Sequence, residues 1–179
     1  MSNLNEFLSA FLSYRTARLE FLNYIGCVES NRDPLAEASE HLVALLTGGE
    51  LVKNRVQKGY DVVDSDGKRI QVKYLANPLN TGINGHVIQF PDEADLYAVV
   101  VFENLLPRSI LVFTRENLEP VYDRLGKRHK GKGERLELTK ANIETIVLNA
   151  QDFSTLGVTV YPLLPRTYRE RRNNCLDFL

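Results

Sequence analysis

Three polar residues stand among alternating apolar ones in the stretch GYDVVDSDGKRIQVK, residues 59–73. They are Asp61, Gln71 and Lys73, which carry a carboxylate, an amide and an ammonium group. Hard oxygen ligands suit Mg²⁺, and a bound metal ion can polarise a phosphoryl oxygen and assist an attacking water. A lysine beside the ion supplies positive charge where negative charge develops. These residue types therefore suit metal-assisted hydrolysis of a phosphate ester, provided that the fold brings them together.

A hairpin with a three-residue turn would place all three on one face of a sheet. In the loop Ser65-Asp66-Gly67, the glycine can adopt the positive φ that the last residue of such a turn requires. The resulting register sets Asp61 opposite Gln71, so that Asp61, Gln71 and Lys73 share one face and the apolar residues the other. A two-residue Asp66-Gly67 turn would shift the register by one and separate Asp61 from the other two.

A second source of carboxylates is the predicted helix PLAEASEHLVALL, which precedes the hairpin. Asp33 is its expected N-cap and Pro34 its first residue. Glu37 and Glu40 occupy neighbouring positions of one helical face, beside the apolar stripe, from which either could face the sheet. Glu40 is favoured because the apolar run begins directly after it, and Glu37 remains its competitor.

Other candidates for a polar site have simpler explanations. Asp64 and Asp66 flank the turn, where aspartate is favoured. The three histidines share no spacing typical of zinc ligands. The two cysteines, Cys27 and Cys175, form no CxxC pair and are expected to be buried or incidental thiols.

The order of these elements, a helix glutamate, a strand aspartate, a hairpin and then QVK, resembles the PD-(D/E)XK nuclease superfamily. GYDVV followed by QVK is similar to its Mrr-type branch, in which glutamine replaces the first acid of the lysine motif. EHLVALL resembles the helix of archaeal Holliday junction resolvases and Mrr-like enzymes, in which a glutamate opens an apolar run. The resemblance covers residues 34–113 and implies a restriction endonuclease-like core.

The resemblance also implies a role for each residue. Asp61 would be the invariant ligand of a divalent metal, Glu40 an accessory acid, and Val72 a ligand through its backbone carbonyl. Gln71 would offer its amide oxygen without adding charge, and Lys73 would orient water and offset the charge of the transition state. The implied cofactor is Mg²⁺, for which Mn²⁺ can substitute, and the implied substrate is double-stranded DNA.

Three interpretations of the function stay open. The first is a metal-dependent DNA endonuclease like a restriction enzyme, from which the sequence does not separate a repair or junction nuclease of the same fold. The second is a catalytically inactive module that binds nucleic acid or a partner protein, and the uncharged Gln71 is its best support. The third is a globular α/β protein in which Lys73 merely neutralises Asp61 on an exposed sheet face. Neither sequence specificity nor a partner methyltransferase can be read from the chain.

Composition makes any contact with nucleic acid local. The chain has 179 residues, 44% of them hydrophobic and 25% charged, with a net charge of −1, so it is no general polycation. Two basic stretches, RLGKRHKGKGER and RTYRERR, are candidates for DNA contacts and are equally typical of solvated loops. The candidate DNA-binding residues are Lys127, Arg128, Lys130, Lys132, Arg166 and Arg169.

Apolar periodicity predicts the elements that would position the site. A long first helix over residues 4–25 has an apolar face that could pack on the domain or on a second copy of the chain, as in a homodimer. The pattern predicts further helices over 35–46, 114–125 and 139–147, and strands over 50–53, 60–64, 68–75, 86–90, 96–102 and 109–113.

This order indicates an α/β or α+β fold with a mixed sheet flanked by helices. We expect a single nuclease domain over residues 1–179, with an N-terminal helix extension at 1–30 and a motif-bearing core at 34–113. The N-terminus lacks a continuous apolar core, so neither a secretory signal nor a membrane span is expected, and the expected compartment is the cytoplasm.

Overall fold

The structure is a computed structural model that describes residues 3–52, 59–76, 86–127 and 135–164. Within these ranges the chain is a mixed α/β fold of five helices and eight strands. The helices are α1 (Leu4–Tyr24), α2 (Pro34–Thr47), α3 (Leu118–Arg124), α4 (Lys140–Leu148) and α5 (Ala150–Ser154). The strands are β1 (Glu50–Leu51), β2 (Val62–Val63), β3 (Arg69–Ala76), β4 (His86–Gln89), β5 (Leu96–Glu103), β6 (Leu106–Thr114), β7 (Arg135–Leu138) and β8 (Val158–Pro162).

The described strands form a six-stranded mixed sheet in the order β1-β2-β3-β5-β6-β8. Its neighbouring strands are antiparallel except for β3 and β5, which are parallel. Strands β4 and β7 form a second, two-stranded antiparallel sheet that is not hydrogen-bonded to the first. The predicted mixed sheet flanked by helices, with a long N-terminal helix, is therefore confirmed.

The two faces of the large sheet pack into different cores. On one face, which we call the α2 face, Val43 of α2 packs with Ile70 and Val72 of β3. The other, the β4 face, packs against β4, β7 and helices α3 to α5. Because successive strand residues point to opposite faces, Gln71 and Lys73 lie on the β4 face. The hydrophobic run of β5 follows from this arrangement, since both of its faces are covered.

The β2–β3 hairpin has the predicted register. Val62 pairs with Ile70, and the connecting loop is Ser65-Asp66-Gly67, with Gly67 at a φ of 81°. The Asp64 carboxylate accepts the backbone N–H groups of two residues that follow it, Asp66 and Lys68, at 3.0 and 2.8 Å. Asp64 is therefore a turn residue, as its position in the sequence indicates.

The first two helices begin as the sequence predicts. Asn3 caps α1, and Asp33 caps α2 ahead of Pro34. The C-terminal half of α1 buries Leu22, whereas its N-terminal half leaves apolar side chains uncovered, with Leu4 70% and Phe7 61% exposed. Among the described helices, none is long and apolar enough to cross a membrane.

The elements of the C-terminal third differ most from the predicted ones. The helix expected over 114–125 begins only at Leu118, because Thr114 still belongs to β6. Strand β6 starts at Leu106, directly after a tight turn at Asn104 and Leu105, both with positive φ. The short strands β7 and β8 and the helix α5 were not predicted, since four or five residues carry too weak a periodicity.

Candidate functional site

Asp61 lies where β2 begins, and its side chain takes the place of a backbone hydrogen-bond acceptor. The Asp61 N–H still donates to the carbonyl of Ile70, at 2.9 Å. Further along β3, the N–H of Val72 donates to Asp61 Oδ2, at 2.7 Å, instead of to a backbone carbonyl. The carboxylate is thus tied to the edge of β3 by the strand itself.

Gln71 links this carboxylate to the backbone of β3. Its Nε2 donates to Asp61 Oδ2 and, at 3.3 Å, to the carbonyl oxygen of Val72. The Gln71 residue is only 7% exposed. The Asp61 carboxylate and the Val72 carbonyl, both expected as metal ligands, therefore converge on a single amide nitrogen.

Lys73 lies on the same face of β3 as Gln71, two residues further on, and is exposed. Its ammonium makes no hydrogen bond or ion pair within 4 Å with any residue in the described ranges. Its charge nevertheless acts on the site, because it lowers the pKa of Asp61. Lys73 is therefore a cation beside the carboxylate that remains open to a further anionic partner.

Opposing effects set the pKa of Asp61. Burial raises it above the usual value, and the negative charge of Glu40 adds to this effect. The hydrogen bond from the Val72 N–H and the charges of Lys73 and Arg32 act in the opposite direction. Burial prevails, so the ionised carboxylate is held at an energetic cost.

Glu37 and Glu40 are both buried, and both face Arg32, a residue that the sequence analysis did not single out. Arg32 donates from Nη1 to Glu40 Oε2, at 2.9 Å, and from Nη2 to Glu40 Oε1, which makes a bidentate pair. Glu37 Oε1 accepts the hydroxyl of Ser30 at 2.6 Å and lies 3.7 Å from Arg32 Nη1. The negative charge of Glu40 is among the causes that raise the pKa of Asp61.

The turn that carries Arg32 is held from two sides. From α1, Arg18 Nη2 donates to the carbonyls of Ser30 and Arg32, at 3.2 and 3.1 Å. From β3, the hydroxyl of Tyr74 donates to Asp33 Oδ2, at 3.0 Å. These contacts fix the start of α2 against the strand that carries the lysine motif.

His86 and Tyr97 join the site although the sequence did not single them out for it. Tyr97 pairs with Gln71 in the parallel β3–β5 register, is 3% exposed, and lies with its Oη 2.9 Å from His86 Nε2. Burial, with a contribution from the charge of Asp61, raises the pKa of Tyr97 to about 12. Burial and the charge of Lys73 lower the pKa of His86, so both groups are uncharged at neutral pH. Tyr97 could have been identified only from the parallel pairing of β3 with β5, and His86 only from the packing of β4 against that sheet.

The oxygen donors around Asp61 are few, and they bear on the expected magnesium ion. Among the described residues, no three His, Cys, Asp or Glu side chains are grouped so that they could hold a metal. The Asp61 carboxylate and the Val72 carbonyl are the oxygen donors that Mg²⁺ prefers, and Mg²⁺ binds with one or two carboxylates and retained waters. Since Gln71 presents its nitrogen to these oxygens, it would have to turn its amide oxygen inward to serve as a ligand.

Most of the predicted DNA-binding residues lie outside the described ranges, namely Arg128, Lys130, Lys132, Arg166 and Arg169. Lys127 is described, and its N–H donates to the carbonyl of Tyr122 at the end of α3, at 3.2 Å. The basic stretch therefore begins where α3 ends.

No protein-family model matches this chain, and no curated protein matches its sequence. The geometry of the site and the motif resemblance are therefore the grounds on which a function can be proposed.

We predict that Asp61→Asn does not lower the thermal stability of the protein at neutral pH. The folded-state pKa of Asp61 lies above its unfolded-state value, so the ionised carboxylate opposes folding at any pH above both. This penalty disappears as the pH falls below the unfolded-state pKa, about 3.9. Thermal unfolding of the variant should therefore give an equal or higher midpoint at neutral pH, and the difference should shrink in acid.

The matched control for this comparison is Asp66→Asn in the exposed turn, which should leave the midpoint unchanged at both pH values. A clearly lower midpoint for Asp61→Asn at neutral pH would contradict the conclusion that the ionised Asp61 carboxylate destabilises the folded state.

Proposed function

We propose that the chain is a metal-dependent DNA endonuclease that hydrolyses phosphodiester bonds at the site around Asp61. One observation carries the proposal: the Asp61 carboxylate and the Val72 carbonyl converge on one point, beside a lysine whose ammonium lacks an ion-pair partner among the described residues. This supports the roles that the motif resemblance gives to the same residues.

In this proposal each group has a distinct task. Asp61 and the Val72 carbonyl would hold Mg²⁺, with Glu40 as accessory acid and Gln71 as an uncharged ligand. The bound ion supplies polarisation of a phosphoryl oxygen and a more acidic water. Lys73 binds a non-bridging phosphate oxygen and stabilises the charge that develops there. Tyr97 and His86, which contact each other near the lysine, add no charge to the site at neutral pH.

The charges of the site agree with a negatively charged substrate that needs a divalent ion. Among the described residues of the site, and with every group ionised, the carboxylates of Glu37, Glu40 and Asp61 exceed the cations Arg32 and Lys73 by one charge. A divalent ion makes the site positive by one charge, which complements a phosphodiester. Metal and DNA should therefore bind cooperatively.

The principal test is cleavage of plasmid or genomic DNA in the presence of Mg²⁺ or Mn²⁺. We expect the wild type to cut, and Asp61→Asn to abolish cutting because it removes an anionic ligand while keeping the size of the side chain. Lys73→Ala should lower the rate by about a hundredfold or more, because it removes charge stabilisation from the transition state. DNA binding should survive Asp61→Asn, since phosphate contacts come from lysine and arginine.

Asp66→Asn is the control, since Asp66 lies in the same hairpin but only in its exposed turn. An activity that survives Asp61→Asn would show that this hairpin is not where cleavage occurs. A four-way junction included among the substrates separates a junction nuclease from a restriction-like enzyme, because only the former should prefer it to a linear duplex.

The alternative function, a module that binds nucleic acid or a partner without cutting, has one observation in its favour. The amide nitrogen of Gln71 already donates to Asp61 Oδ2, and the guanidinium of Arg32 donates to both oxygens of Glu40. Gln71→Glu distinguishes the two functions. A wild type that is inert with every metal and substrate, beside a Gln71→Glu variant that cuts, would establish the binding module.

For DNA contacts we propose the two basic stretches, 124–135 and 166–172, with Lys127 in the first and Arg166 and Arg169 in the second. Changing Lys127, Arg128, Lys130 and Lys132 together to alanine should weaken binding to duplex DNA. The dependence of log K on log salt should become shallower by about 0.9 for each phosphate that the variant no longer neutralises, measured by fluorescence anisotropy. Lys140→Ala, an exposed change at the start of α4, is the control. An unchanged slope would assign the stretch to ordinary surface.

A homodimer would let two sites act on the two strands of a duplex, and α1 offers an interface for a second copy of the chain. The uncovered side chains of its N-terminal half continue the helical face that buries Leu22 further along. A second copy presents an equally apolar face by symmetry, so an antiparallel pair of α1 helices would cover both. The side chains concerned are Leu4, Phe7, Leu8, Phe11 and Leu12.

Light scattering coupled to size-exclusion chromatography tests the dimer. The wild type should have the mass of two chains, and Phe7→Ser combined with Phe11→Ser should have the mass of one, because the pair removes the centre of the apolar face. Tyr24→Ser, which also changes an exposed aromatic of α1 but at its opposite end, should leave the mass unchanged. A wild type that is monomeric at every concentration would exclude this interface.

A further inference from the structure

Arg32 lies next to the carboxylates of the proposed site although it does not belong to the motif of Asp61, Gln71 and Lys73. Its guanidinium binds both oxygens of Glu40, lies close to Glu37, and its charge acts on Asp61. At the same time the Arg32 side chain is 39% exposed, so it lies at the surface rather than in the interior. It is thus a cation among the site's carboxylates that a substrate can reach.

The backbone of Arg32 is fixed, whereas its side chain can reach solvent as well as the carboxylates. Arg18 holds the carbonyls at Ser30 and Arg32, and Tyr74 holds the adjacent Asp33. A movement of the guanidinium therefore needs only rotation of the side chain.

The bidentate pair restricts Glu40 as a metal ligand. Each oxygen of Glu40 accepts a hydrogen bond from Arg32, and a divalent ion on Glu40 would lie close to the guanidinium charge. Like charges this close repel strongly in the partly dry interior of a protein. Arg32 and a divalent ion therefore compete for the carboxylate of Glu40.

We propose that Arg32 is a positioning residue that releases Glu40 when a divalent ion binds and then binds a phosphate of the DNA. The inference rests on the proposed function, since it assumes that the ion and the DNA meet at this site. Guanidinium binds carboxylate and phosphate with the same planar, two-point geometry, so one side chain serves both partners. When the Arg32 guanidinium leaves Glu40, a carboxylate oxygen becomes available to the ion. The DNA phosphate then takes the place of Glu40 as the negative partner of Arg32.

The first experiment titrates the full-length protein with Mn²⁺ in the absence of DNA, by calorimetry. Arg32→Gln should bind Mn²⁺ about tenfold more tightly than the wild type, because the competing charge is gone. Glu40→Gln should bind it more weakly, and Asp61→Asn should bind it least. Mn²⁺ should also raise the thermal midpoint of Arg32→Gln more than that of the wild type, since the ion restores the missing counter-charge to Glu37 and Glu40.

The second experiment measures the salt dependence of binding to a short labelled duplex, once in EDTA and once in Ca²⁺, which takes the same oxygen ligands. In EDTA the wild type and Arg32→Gln should have equal slopes, because Arg32 is still engaged with Glu40. In Ca²⁺ the slope of the wild type should be steeper than its own slope in EDTA by about 0.9, which is the contribution of one phosphate contact.

Glu40→Gln provides the converse result and does not depend on the folding of the arginine variant. It removes the negative charge of Glu40 and leaves Arg32 only the longer contact with Glu37, so the slope of this variant should already be steeper in EDTA, by up to about 0.9, and should not change further in Ca²⁺. Arg32→Lys, which keeps the charge but not the two-point geometry, should recover only part of the wild-type response to Ca²⁺.

The proposed release of Glu40 by Arg32 would be overturned by either of two results. One is that Arg32→Gln binds Mn²⁺ no more tightly than the wild type, and the other is that the wild-type slope is the same in EDTA and in Ca²⁺. Either result leaves the proposed nuclease intact if Asp61→Asn still abolishes metal binding and cleavage. A wild type that binds no metal at all would overturn both this release and the proposed function.

Discussion

The hydrogen bond from the Val72 N–H to the Asp61 carboxylate is the contact on which the site depends. Strand β2 pairs with β3 over two residues only, and beyond them the carboxylate takes the position of a backbone acceptor. This anchors an acidic group beside a buried strand although burial raises its pKa. Because the anchor belongs to β3 itself, the neighbouring Gln71 and Lys73 are placed relative to it by the alternation of the strand.

Around this contact, the charged and polar groups divide into two sets on either side of Asp61. On the α2 side, Arg32 pairs with Glu40, so two buried carboxylates of one helix share a counter-charge. On the β4 side, Tyr97 and His86 are neutral, and Lys73 makes no ion pair within the described ranges. Buried charges are stable when they are paired, and a charge that remains open is available for a substrate. The arrangement thus separates the paired carboxylates of α2 from an exposed lysine on β3.

The N-terminal helix contributes to the site although it lies outside the region of motif resemblance. Arg18 of α1 holds the turn that presents Arg32, so the geometry of the accessory acid depends on how α1 docks. The same helix buries Leu22 on the body and leaves its first turns uncovered. Association of a second copy through α1 would therefore act on the segment that supports the acidic residues.

The sequence by itself determined those features that depend on neighbours along the chain. The turn at Gly67 and the alternation on either side of it determined the register of the hairpin, and Asp33 with Pro34 determined the start of α2. Tertiary structure decided the partners of Arg32 and the approach of Tyr97 and His86 to Gln71 and Lys73. These contacts depend on the parallel pairing of β3 with β5 and on the packing of α2, which join segments far apart in the chain, and local periodicity carries no information about which distant segments meet.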